Sequence, residues 1–159
     1  MNLRIEFARA RGAPAEAVQI AEELLAFEES LSGTTSVPYM RAAQTVANVY
    51  QSTGNPERAL PLRRQIVTIA DLSLSLNDAQ RGFVRIDAAF AFANTRQFDE
   101  AERLANEAVA VGERMHPQQT KLFAPQVEQI RRMKTDAESG SLQTDGVVNG
   151  AIMTRSGWH

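Results

Sequence analysis

The chain has 159 residues, 43% of them hydrophobic and 23% charged, with a formal net charge of -2. That suffices for one compact domain or a short stack of helical hairpins, but not for two large domains. Acidic and basic residues interleave, so no footprint for a polyphosphate backbone stands out and nucleic acid is not expected as a partner. Cys is absent, which removes disulfides, thiolate metal sites and a cysteine nucleophile. No apolar run approaches the roughly 20 residues that a bilayer crossing needs, so no membrane role is expected.

In chain order, the first eleven residues carry Arg4, Glu6, Arg9 and Arg11. They lack the apolar core of a secretory signal, and a cytoplasmic protein is expected. They read as a short opening helix of about ten residues. Gly12 and Pro14 then mark a turn and the start of a long second helix, because proline suits the first helical position, where its missing N–H has no intrahelical partner. The next helix is predicted from about Val37 to Thr53. It is followed by the turn Gly54-Asn55 and a helix from about Pro56 to Leu72, with Asn55 expected to cap the latter. A loop around Ser73 to Asn77 leads to helices from about Asp78 to Thr95 and Phe98 to Met115. Asp99 and Glu100 lie in the first turn of the second of these, where the helix dipole favours negative charge. From Gln118 to about Lys134, Phe123, Val127, Ile130 and Met133 share one helical face, as a capping helix would require. The remainder, rich in Gly, Ser, Thr and Asp, breaks the periodicity. The expected domains are therefore a repeat domain, 1–134, and a flexible tail, 135–159, which is a disordered end, a linker remnant or an internal ligand carrying Ile152 and Trp158.

These segments repeat. A step of 42 residues carries Ala17 to Ala59 and Ala101, Gly12 to Gly54, Ala47 to Ala89, and Tyr50 to Phe92. The same step aligns Ile20, Leu62 and Leu104, then Leu24, Ile66 and Ala108, then Phe27, Ile69 and Val111. The small residues let paired helices approach, and the apolar stripes give each hairpin a face that only a stacked neighbour can bury. At roughly 1.5–3 kcal/mol per fully buried large apolar side chain, such stacking is the main source of stability.

This pattern resembles the tetratricopeptide repeat: small residues in both helices, an aromatic near the end of the first, and a Gly turn before the second. The long step, with Ala59-Leu60-Pro61-Leu62 after the turn, looks like the kinesin-light-chain-type variant. Arg96 stands in place of the turn Gly, Arg63 stands where an aromatic is common, and the first unit has a truncated opening helix. The resemblance implies an all-α, right-handed superhelical stack of antiparallel hairpins, about three repeats plus a C-terminal capping helix, that binds a protein or peptide along the first helices. Aligned to that groove are Arg41, Gln44, Asn48 and Gln51 in the second unit and Phe83, Ile86, Phe90 and Asn94 in the third. Asn2, Glu6 and Arg9 stand at the equivalent places before them, and Lys121, Ala124, Glu128 and Arg131 after them. Phe83, Ile86 and Phe90 either form an exposed apolar patch in the groove or pack against neighbouring helices. Asn48 and Gln44 suit the backbone of a bound peptide.

Chemistry-bearing motifs are not found: there is no phosphate loop, nucleophile elbow or metal-spaced cluster. His116 reads as part of a His-Pro helix entry, and Glu22-Glu23 as a solvated face. An interaction module, adaptor or scaffold is expected, with no enzymatic activity, cofactor or metal. The alternative is the C-terminal sensor or oligomerisation repeats of a larger signalling protein. Leu3 and Phe7 on the truncated first repeat have little to cover them, so either another protomer or a partner covers them or the chain is a piece of a longer array.

Overall fold

The computed structural model describes the backbone of residues 2–73, 75–115 and 120–152, and the side chains of 3–73, 75–114, 121 and 123–140. The described residues form helices and no strands. Three antiparallel hairpins follow one another: α1 (Asn2–Ala10) with α2 (Pro14–Ser32), α3 (Val37–Ser52) with α4 (Pro56–Leu72), and α5 (Asp78–Asn94) with α6 (Phe98–Met115). A last helix, α7 (Thr120–Ile152), packs on both α5 and α6. This is the expected stack: α3 and α5 each end one residue earlier than expected, and α7 runs beyond its expected end.

The turns show why the repeat holds. In each hairpin the backbone N–H that follows the turn donates to the carbonyl five residues earlier: Ala13 to Ala8 at 2.9 Å, Asn55 to Tyr50 at 2.8 Å, and Gln97 to Phe92 at 2.9 Å. That closure needs a left-handed residue just before the donor, and φ is +74° at Gly12 and +79° at Gly54. Arg96 adopts the same conformation at +62°, although an L side chain there costs about 1–2 kcal/mol. The turn geometry is therefore kept even where the glycine is not.

Capping departs from expectation at one end. Asn55 precedes Pro56 as anticipated, but its side chain makes no cap and instead donates to the Thr53 carbonyl at 3.1 Å. Its backbone is already committed to closing the preceding helix. The capping box belongs to α5, where Asn77 and Gln80 exchange side-chain and backbone hydrogen bonds at 2.9 Å. Ser36 caps α3.

Ala17, Ala59, Ala101, Ala47 and Ala89 have no measurable exposure, so helices close on one another at backbone distance. Tyr50 and Phe92 are buried beyond them. The first hairpin carries Ile5 where the others carry Ala47 and Ala89, and Ala8 where they carry Tyr50 and Phe92. Exchanging the places of the large and the small residue keeps most of the packed volume, and both Ile5 and Ala8 are buried. Tyr50 also ties three helices together. Its hydroxyl donates to Glu22 Oε1 at 2.6 Å, Arg58 lies 4.3 Å from its ring centroid, and Arg58 pairs with Glu22 at 2.9 Å. Burial, with the Glu22 hydrogen bond, pushes the phenol up to about 12.

Two features close the C-terminal end. Phe123 of α7 is fully buried, and its ring lies where a Cβ on Gly82 of α5 would come within 2.7 Å of Cε2. Glycine is required there by the close approach of the ring. The polar segment expected to begin a tail at residue 135 continues as helix through Ile152, without a break at 134/135. No proline follows Pro125 to stop it, and Lys134 anchors the helix to Asp99 and Glu102 of α6 at 3.2 and 3.3 Å. His116, Pro117 and Trp158, singled out in the sequence, lie outside the described residues.

Candidate functional site

The first helices α1, α3 and α5 and the closing helix α7 carry the side chains expected to face a ligand. Between α1 and α3 lies a cleft of about 230 Å³, lined by Ile5, Glu6, Arg9, Thr45, Asn48 and Val49. Two of the anticipated residues of the first unit, Glu6 and Arg9, thus share a wall with Asn48 of the second. Arg9 pairs with Glu6 at 2.9 Å, which leaves the cleft close to neutral.

Asn48 and Gln51 are brought together by a residue that stands outside the expected set. Arg63, on α4, is only 4% exposed, and its guanidinium donates to Asn48 Oδ1 at 2.6 Å and Gln51 Oε1 at 2.8 Å. Its Nε is buried without a hydrogen-bond partner. Asp87 on α5 attracts the cation but makes no ion pair with it among the described residues. Burial pulls the Arg63 guanidinium below its usual value, with Asp87 opposing. Burial likewise raises the Asp87 carboxyl above the usual carboxylate range, with Arg63 opposing. The sequence signal for this cluster was the cation standing at an aromatic position. A long stem that can pack while its head reaches the next layer satisfies that position differently from a ring.

The consequence for Asn48 is directional. Its oxygen is held inward by Arg63 while the residue remains exposed. The amide N–H₂ is therefore the end left for a ligand, a donor whose orientation is fixed in advance. Gln44 is half-buried, and Arg41 and Asn94 are exposed.

The apolar trio divides. Ile86 is 6% exposed and belongs to the core, Phe90 is half-buried against that core, and Phe83 is 51% exposed. Phe83 meets Phe123 edge to face with ring centroids 5.3 Å apart. Of the two readings left open by the sequence, packing describes Ile86, while Phe83 and Phe90 keep a free surface. On α7, Lys121, Ala124, Glu128 and Arg131 are exposed, and Arg131 pairs with Glu128 at 2.7 Å.

Replacing Arg63 tests the balance between its stem and its charge. Arg63→Ala is expected to cost about 2–4 kcal/mol through the cavity it leaves. Arg63→Met should cost under about 1.5 kcal/mol, because the stem volume stays and the released amide oxygens border the exposed face. Urea unfolding of the two variants checks this; equal losses would show that the guanidinium hydrogen bonds carry the stability.

Among the solved structures that match the whole architecture are two with a TM-score of 0.67. Both are crystal structures of a Podosopora anserina protein named as a kinesin light chain with nearly identical TPR-like repeats, one of them a singly substituted form. The chain is 20% and 21% identical to them, covered over 97% and 98% of its own length and spanning 76% and 77% of theirs. The fold is that of TPR-like repeats. No family model and no curated protein matches the sequence. At this identity the likeness speaks for the fold alone. The TPR-like stack holds no metal-ligating cluster among its described residues, and no described helix is long and apolar enough to cross a membrane.

Proposed function

We propose that this chain is a protein-interaction module, an adaptor or scaffold, that holds a peptide or partner helix along its first helices and performs no catalysis. The observation that carries this reading is the fixed amide of Asn48, an exposed donor oriented from behind by a buried cation. A side chain held in that way loses little freedom on binding a peptide carbonyl. Phe90, half-buried and in the following layer, supplies apolar contact. Arg41, Gln44, Gln51, Phe83 and Asn94 complete the proposed surface, whereas Ile86 supports it from within. The protein is proposed to work in the cytoplasm.

The test is selection of binding peptides from a displayed random library against the full chain, followed by titration. Phe90→Asp is expected to weaken the selected peptides at least about 10-fold while helical content is retained, with about 1–2 kcal/mol of stability lost because the ring is partly packed. Asn48→Ala should weaken them about 5-fold or more through the loss of one hydrogen bond. Peptides that bind both variants as well as the parent would place the site elsewhere.

A second reading is favoured by the first hairpin, where Leu3 and Phe7 are 84% and 66% exposed. Under it the repeats associate through that end, with another copy or as the C-terminal sensor or oligomerisation part of a larger regulatory protein.

A further inference from the structure

Among the described residues, no helix covers the outward face of the first hairpin. Phe7 occupies the place that Val49 and Ala91 hold in the later hairpins, where they are 2% and 1% exposed. Phe27 likewise corresponds to Ile69 and Val111, both 2% exposed, but is itself 54% exposed. Leu3 and Leu31 extend the same apolar strip along α1 and α2, at 84% and 69%. Between the two helices lies a depression of about 570 Å³ lined by Leu3, Phe7, Ala10 and Ile20 and by the charged Arg4, Glu6, Arg11 and Glu16.

Resting on the second reading above, we propose that this face pairs with the same face of a second copy of the chain about a two-fold axis. Three observations select that occupant. At the opposite end, the described part of α7 presents exposed Lys121, Glu128, Arg131, Arg132 and Thr135. Head-to-tail stacking would bury those charges against leucine and phenylalanine. The rim of the apolar strip carries both signs: Arg4 on α1 and Glu23 on α2 have no ion-pair partner among the described residues. A two-fold rotation can set one against the other, whereas a partner of a single sign would leave a like charge opposed. Finally, at these exposures the two leucines and two phenylalanines present roughly 500 Å² per copy, so a pair that covers them fully buries about 1,000 Å², the threshold for a specific interface.

The experiment is sedimentation of the full chain across a concentration series, beside Phe7→Asp/Phe27→Asp and, as a control on another surface, Phe83→Asp. The parent and the control are expected to reach twice 17.5 kDa at micromolar concentration. The double variant should have a dimer dissociation constant raised about 100-fold or more, with unchanged circular dichroism. Because the chain has no cysteine of its own, Leu3→Cys, Phe7→Cys and Leu31→Cys introduced singly report the symmetry. At least one should form a disulfide with its own copy under oxidation, since residues near a two-fold axis meet their equivalents. A parent that stays monomeric throughout overturns both the self-association reading and this geometry. A dimer indifferent to Phe7 and Phe27 overturns the geometry while leaving self-association through another face. Crosslinks that form only between Leu3→Cys and Arg131→Cys chains establish head-to-tail stacking and overturn it equally.

Discussion

Ala101→Arg is expected to abolish the cooperative unfolding transition, leaving a chain without stable tertiary structure at room temperature. Ala101 has no exposure and sits in the first turns of α6, within the core that α5 and α6 share. A guanidinium on a three-carbon stem has no route to solvent from that position without separating the helices. Overpacking alone costs about 1–3 kcal/mol, and an uncompensated buried charge adds several more. A domain of this size has a total stability of about 5–15 kcal/mol. Ala110→Arg on the exposed side of the same helix should shift the transition by less than about 0.5 kcal/mol. Thermal circular dichroism distinguishes the two, and a normal melting curve for Ala101→Arg would contradict the repeat register from which the stack was read.

The second large effect belongs to the closing helix. Phe123→Ala removes a fully buried phenyl ring, for which about 3–5 kcal/mol is the usual loss. In a stack where each layer touches only its neighbours, the damage should stay near that layer. Hydrogen exchange is therefore expected to show the amides of α7 losing protection while those of α3 and α4 keep theirs. Gly82→Ala approaches the same seam from the other side by driving a methyl into the ring. Its cost should shrink in a Phe123→Leu background, where the space opposite the methyl is freed. A cycle over the two positions measures that coupling. Strict additivity would mean that the ring yields without strain, and uniform deprotection would mean that the layers unfold as one.

The helix bounds could be read from the sequence because three kinds of signal recur at one spacing: the turn, the small contact residue and the apolar stripe. Each is imposed by backbone geometry or close packing, which tolerate little variation. The candidate site was less legible. Periodicity reports which face a residue lies on but not how far a neighbour covers it, and so Ile86 and Phe90 looked alike although one is in the core and the other half free. Asn48 and Gln51 were identified as polar groove residues, but the cation that orients them comes from the other row of helices, fifteen residues away in the chain for the Asn48 bond. No spacing rule predicts that meeting. The helical course of α7 beyond residue 134 was also hidden, since Gly and Ser weaken helix propensity without forbidding a helix that is held at its base.

Arg96 gives the third turn a property the other two lack. Glycine at that place would relax the backbone, yet it could not reach outward, whereas the Arg96 guanidinium donates to the Ala137 carbonyl on α7 at 3.3 Å. Gly12 and Gly54 lead into helices that later hairpins hold in place; among the described residues, the third hairpin is followed by the single helix α7. A strained residue there acts as a clasp, so the terminal seam is fastened by the very position where the repeat departs from its own rule.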